Sequence, residues 1–196
     1  MPLGAARFGL GGGVIDLGQL ELITNTTADG SSNGITFTNI KEDEYAVHLL
    51  VGTELTNVGG NSHMNCRLST DGGSSFVTSS SYDKAAQYGN SANNDKGSSR
   101  YQNDTDWEYF FSSDNSSTSA TGGSYVFLYN LGNTRYSSFT GMSAVNNGNN
   151  STTYYVYQSG IIQLGQIHNA FKIFASNSSH EVKGKFQLYG IRGVPT

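Results

Sequence analysis

Short stretches that alternate between apolar and polar residues recur along this chain, and they constrain its fold more than any other feature. The clearest covers residues 45–51, where Tyr45, Val47, Leu49 and Val51 share one face at a period of two. This pattern predicts a central strand whose four apolar side chains face the core. Similar stretches follow along the chain, each bounded by turns rich in Gly, Ser and Asn.

The composition favours the same interpretation. Ser, Thr, Asn and Gly fill nearly half of the 196 positions, while 12 Tyr and 10 Phe supply apolar surface. Charged residues make up 13% of the chain, about half of the usual share of roughly 25%. No amphipathic helix pattern exceeds two turns. We therefore predict an all-β fold: an antiparallel β-sandwich, jelly-roll-like, with nine or ten short strands and an extended N-terminal arm.

The chain divides into two parts at its glycine-rich start. We predict a flexible docking arm over residues 1–17 and a single β-sandwich domain over residues 18–196. The arm holds isolated apolar side chains among glycines, so it cannot fold alone but can order against another subunit. A frayed terminus is the alternative. The candidate docking residues are Leu3, Arg7, Phe8 and Leu10.

Several classes of protein are disfavoured by charge and hydropathy. No apolar run is long enough for a signal peptide or a membrane span, so we expect a soluble chain without membrane insertion. The net charge of −4 and the scattered bases argue against a nucleic-acid partner. Cys66 is the only cysteine, so no internal disulfide can form, and its strand-like context predicts a buried thiol.

One turn pattern matches a motif of known families. Residues 69–76 fit the S-x-D-x-G-x-x-aromatic turn that sialidases and related propellers repeat, in which the aspartate caps turn amides. The pattern occurs once here, and a propeller needs a longer chain. We interpret it as a structural turn around Asp71.

The search for catalytic groups finds no complete set. A glycosidase needs two acids about 5–10 Å apart, and the candidates are residues 42–44 and the group Asp104, Asp106 and Glu108. Solvated charge or a weak Ca²⁺ site is the alternative for both groups. The four histidines lack a metal-ligand spacing, and neither a nucleophile elbow nor a phosphate-binding loop is present. We predict no enzyme activity, no cofactor and no metal site.

Aromatic side chains are the remaining candidates for binding. Three tyrosines between residues 154 and 157 are flanked by Asn and Ser, and further rings bracket the polar stretch 89–106, which we interpret as a long exposed loop. Such rings can stack on sugars, although strand alternation directs about half of them to the core. The candidate glycan-contacting residues are Tyr101, Trp107, Tyr154, Tyr155 and Tyr157, with Tyr88 beside them.

The opening residues, MPLGAARFG, resemble the start shared by small structural proteins of tailed marine bacteriophages, including cyanophages. In that group a similar LGAAR opening precedes different β-rich bodies, some of which resemble laminin-G or lectin modules. The remainder of this chain also resembles one such body. The matching segments are residues 40–45, 67–69, 71–76 and 184–191.

This resemblance implies a non-enzymatic virion structural protein displayed on the particle surface, as a capsid decoration or a tail or fibre appendage subunit. It implies a location in the virion after assembly in the host cytoplasm, with docking through the N-terminal arm. The expected partners are other capsid or tail proteins and further copies of the chain, with a trimer favoured by analogy. The alternative is a receptor-binding module that recognises a host surface glycan through loop aromatics.

Overall fold

Strands dominate the structure. The computed structural model describes residues 19–60, 62–91, 96–113, 122–147 and 152–192, so the predicted arm lies outside the described residues. Among these residues there are twelve strands, and no helix is present that is long and apolar enough to cross a membrane. The strands are β1 (Leu20–Asp29), β2 (Gly34–Phe37), β3 (Val47–Val58), β4 (Met64–Ser69), β5 (Tyr82–Asn90), β6 (Lys96–Asp104), β7 (Trp107–Phe111), β8 (Gly122–Tyr129), β9 (Ser138–Asn147), β10 (Thr152–Ile162), β11 (Ala170–Ala175) and β12 (Glu181–Ile191).

The strands form two antiparallel sheets that pack against each other. The large sheet has the order β1-β12-β3-β8-β9-β10-β5-β6, and the small sheet has the order β2-β11-β4-β7. The pairs β5–β6, β4–β7, β3–β8, β2–β11 and β1–β12 are nested in sequence and alternate between the two sheets. A long hairpin wound into a sandwich gives this nested order, which is the jelly-roll principle. The predicted all-β, antiparallel β-sandwich is confirmed.

The strand predicted over residues 45–51 exists from Val47 onward, but its core face is the opposite one; Tyr45, which precedes the strand, is buried. His48 and Leu50 are fully buried, whereas Val47, Leu49 and Val51 lie on the outer face of the large sheet. His48 is accommodated because its Nε2 atom lies 2.8 Å from the Ile40 carbonyl oxygen. The sequence prediction was wrong here because both faces of β3 carry apolar residues, and alternation alone cannot then assign the core face.

The polar stretch 89–106 is not a long exposed loop. β5 continues to Asn90, and Lys96–Asp104 form β6, which pairs with β5 along most of its length. β6 is an edge strand, so its outward residues face water and need no apolar alternation. The sequence of β6 therefore has the polar composition that is typical of a loop.

The turn after β4 has the predicted structure. The Asp71 carboxylate accepts hydrogen bonds from the Ser75 amide at 2.8 Å, the Ser75 hydroxyl at 2.6 Å and the Ser69 hydroxyl at 2.8 Å. These bonds, with those from Ser75 the largest, lower the pKa of Asp71 to about 2. Gly72 and Gly73 adopt positive φ angles of 72° and 90°, which explains the glycine pair.

The core between the sheets is built largely from aromatic rings, with Trp107 among its largest fully buried side chains. The Trp107 ring lies 4.8 Å from that of Phe139 and 5.5 Å from that of Tyr82, centroid to centroid. Its Nε1 atom donates a hydrogen bond to the Ile161 carbonyl oxygen at 3.3 Å. Trp107 therefore joins the small sheet to the large one.

We predict that Trp107→Ala lowers the free energy of unfolding by about 3–5 kcal/mol, because it removes a buried ring and leaves a cavity. Denaturant unfolding of the variant measures this loss. Tyr136→Ala, at a loop residue that is half exposed, is the control and should change the free energy by less than about 0.5 kcal/mol. Equal losses in the two variants would contradict the assignment of Trp107 to the core.

Candidate functional site

A groove opens on the inner face of the large sheet, where β5, β6, β9 and β10 extend beyond the edge of the small sheet. Its cavity has a volume of about 490 Å³, within the range of roughly 300–1,000 Å³ typical of ligand sites. We call it the tyrosine groove, since four tyrosines are among its lining residues. The lining consists of Ser62, His63, Ala86, Tyr88, Ser99, Tyr101, Tyr109, Ser112, Ser113, Val145, Tyr154 and Val156.

The floor of the groove follows from the alternation of its strands. Tyr88 on β5, Tyr101 on β6 and Tyr154 on β10 all point to the inner face. Gly97 pairs with Tyr88 in the sheet, and an added Cβ at this glycine would meet the Tyr88 ring at 2.5–3.1 Å. The tyrosine ring therefore occupies space that only a glycine leaves free.

A bulge in β7 forms the wall of the groove. Met64 pairs with Phe111 and Cys66 pairs with Trp107, so three residues of β7 lie opposite the single residue Asn65. Tyr109, in the middle of this bulge, has a φ of 54°, which is rare for a bulky side chain. Bulges redirect side chains, and this one directs Tyr109 into the groove while Trp107, Phe110 and Phe111 stay in the core.

A polar network holds the bulge in place. The Tyr109 amide donates to the Asn65 side-chain oxygen at 3.3 Å, and the Asn65 amide nitrogen donates to Asp106 at 2.8 Å. Arg67 donates to the other Asp106 oxygen at 3.0 Å. Burial raises the pKa of Asp106, and Arg67 opposes this effect. Through Asn65, Asp106 thus helps to hold the backbone of the β7 bulge in place.

Lys84 lies beneath the tyrosines of the groove. Its side chain is only 4% exposed, and its Nζ atom has no hydrogen-bond partner among the described residues. The Nζ atom is 4.7 Å from the Tyr101 ring centroid and 4.5 Å from that of Tyr109, so both rings contact the cation through their faces. Burial lowers the pKa of Lys84 to about 8. The ammonium is therefore charged at neutral pH and fixes two rings of the groove.

The pKa values of His63, Tyr101 and Glu108, near the groove, also depart from their ordinary values. The His63 ring stacks on Tyr109 with centroids 3.5 Å apart, and burial, with Lys84 nearby, lowers its pKa to about 4. Burial and the nearby Glu108 raise the pKa of Tyr101 to about 12. Burial raises the pKa of Glu108, and a hydrogen bond from Tyr101 opposes this. At neutral pH the His63 ring and the Tyr101 hydroxyl are therefore uncharged.

The structure separates the predicted glycan-contacting residues. Tyr101 and Tyr154 meet in the groove, with Tyr88 beside them. Tyr155 and Tyr157 lie on the opposite, outer face of the same strand, because successive side chains of a strand alternate. Trp107 has no exposed surface, so its ring cannot stack on a sugar, and its assignment to a binding surface was wrong. The arm residues Leu3, Arg7, Phe8 and Leu10 lie outside the described residues.

One member of each acidic group has an ion-pair partner. Asp106 is held by Arg67, and Glu44 forms an ion pair with Lys41 at 3.4 Å. In the parts of the chain that the structure describes, no group of three His, Cys, Asp or Glu side chains is arranged to hold a metal ion.

Sequence reasoning missed His63, Lys84 and Tyr109 as groove residues. For Lys84 a signal existed, since Tyr82, Lys84, Ala86 and Tyr88 alternate along one face of the strand. For Tyr109 none existed, because its orientation depends on the bulge opposite Asn65.

Comparison with known proteins adds no family assignment. No family model matches the chain, and no curated protein matches its sequence.

We predict that the Lys84 side chain titrates near pH 8, which NMR of its side-chain ¹⁵N or ¹³C nuclei can measure. Because the pKa falls from an ordinary 10.5 to about 8 on folding, the folded protein releases this proton first. Its stability should therefore rise between about pH 8 and 10.5, relative to Lys84→Met. A midpoint near 10.5, or parallel stability profiles for the two proteins, would contradict the buried geometry.

Proposed function

We propose that the chain is a non-enzymatic bacteriophage virion protein, displayed on the particle surface, whose sandwich binds a host surface glycan in the tyrosine groove. The groove carries the binding part of this proposal. The virion part rests on the resemblance of the opening residues to phage structural proteins, with residues 1–17 as the docking arm to the capsid or tail.

The chemistry of the groove suits a sugar. One side of a pyranose ring presents C–H groups, which pack on aromatic faces, while its edge presents hydroxyls. Tyr88, Tyr101, Tyr109 and Tyr154 offer ring surface, and Ser62, Ser99, Ser112 and Ser113 are small hydroxyl side chains at the same cavity. Tyrosine supplies both an apolar face and a polar tip. A short oligosaccharide can use both kinds of contact at once.

The groove is also organised before any ligand arrives. Lys84 holds the rings of Tyr101 and Tyr109, the bulge network orients Tyr109, and Gly97 makes room for Tyr88. A site with side chains already fixed loses less conformational entropy on binding. The buried ammonium of Lys84, which has no hydrogen-bond partner among the described residues, has an unfavourable environment. Its position beneath two groove tyrosines therefore favours a functional role over a stabilising one.

The first prediction concerns two neighbouring residues of β10. In a glycan array, the full chain should bind a defined oligosaccharide class, and Tyr154→Ala should weaken that binding at least tenfold, about 1.4 kcal/mol. Tyr155→Ala is a matched control, since it removes the same side chain from the opposite face and should leave the affinity unchanged. The proposal fails if no glycan is bound, or if the two variants lose the same affinity.

The second prediction concerns the arm. Deletion of residues 1–13 should abolish incorporation into phage particles while the sandwich remains folded. Immunogold electron microscopy of particles assembled with either chain measures incorporation, and circular dichroism of the purified chain reports folding. Unchanged labelling of particles that carry the deleted chain would show that docking does not use the arm.

A further inference from the structure

The outer face of the large sheet is apolar where a sandwich normally exposes polar residues. One row of laterally paired residues crosses four neighbouring strands, β1, β12, β3 and β8. Its members are Leu22, Tyr189, Leu49 and Phe127. Leu22 is half exposed, so this row contacts water in the single chain.

A second row lies beside the first and extends over β3, β8, β9 and β10. Its members are Val51, Tyr125, Met142 and Tyr157. The rings of Tyr125 and Phe127 contact each other edge to face, with centroids 6.0 Å apart, which joins the two rows. We call these eight side chains the outer aromatic face.

None of these eight residues carries a charge, and the first charged residue in either row is Arg100 on the edge strand β6, which pairs with Ala85. Before Arg100 the first row continues with Thr140, Ser159 and Ala85, and the second continues with Gln187 and Asn25 on one side and with Gln87 and Ser98 on the other. A face without charge can pack against a copy of itself without like-charge repulsion, as a twofold contact requires. Depletion of charge and enrichment in tyrosine are the composition of interface centres.

The size of the face also fits a dimer. A third row, formed by Leu20, Ile191, Val47 and Tyr129, lies on the other side of the first row. Together, three rows of side chains on six strands about 4.8 Å apart cover about 600 Å². Two such faces approach the roughly 1,200 Å² at the lower limit of stable interfaces. Exposed patches of this size on soluble chains mark interaction sites.

We propose that the outer aromatic face binds the same face of a second copy of this chain, giving a twofold dimer of large sheets packed face to face. The tyrosine groove lies on the inner face of the sheet, so this contact leaves both grooves open. If the proposed glycan binding holds, the dimer presents two sites, and binding to a surface with many glycans gains avidity. The trimer favoured by analogy requires a different, heterologous contact.

Sedimentation equilibrium of the full chain over a wide concentration range tests the dimer. We expect the mass of two chains, and at least tenfold weaker association for Tyr125→Lys and for Tyr157→Lys, because each buries a charge in the contact. Ile167→Lys changes a side chain of similar exposure on the connection between β10 and β11, and it should associate like the parent chain. Near-ultraviolet circular dichroism checks that every variant is folded.

Three results would overturn the proposal. A single chain at all concentrations would mean that another molecule, or residues 1–18, covers the face. A trimer would exclude the twofold contact, and a dimer that withstands both lysine variants would place the contact elsewhere. None of these results decides whether the tyrosine groove binds a glycan, because the comparison of Tyr154→Ala with Tyr155→Ala tests that separately.

Discussion

The unequal width of the two sheets is the constraint on which the rest of the structure depends. At about 4.8 Å between strands, four strands span roughly 14 Å between their outermost members, and eight strands span roughly 34 Å. The small sheet therefore cannot cover the inner face of the large one. The core lies where the sheets overlap, and the tyrosine groove lies where the large sheet continues beyond β7.

The period of a strand divides the aromatic residues between two surfaces. Tyr154 and Tyr155 are neighbours in sequence, yet one lines the groove and the other lies on the outer face. Each surface uses tyrosine differently: in the groove the rings surround a cavity above a buried cation, and on the outer face they form a flat patch without charge. One sheet thus supplies both a ligand site and a surface for assembly.

Much of the fold follows from local sequence. Residues 64–69, 170–175 and 182–191 form β4, β11 and most of β12, and each is marked in the sequence by closely spaced apolar residues. β6 was missed, because an edge strand needs no apolar face. The core face of β3 was assigned wrongly, because its outward residues belong to the outer aromatic face. In both cases the deciding fact is the position of the strand in the sheet.

The residues of the tyrosine groove were only partly predictable, because the orientation of a side chain can depend on residues that are distant in sequence. Tyr101 and Tyr154 carry a compositional signal, while the contribution of Tyr109 depends on a bulge opposite Asn65, 44 residues away in sequence. The most direct test is a crystal structure of the chain with the best oligosaccharide from the array. The account predicts a sugar ring packed on Tyr154 and Tyr101 above Lys84. A sugar bound on the outer face at Tyr155 and Tyr157, with the groove empty, would contradict it.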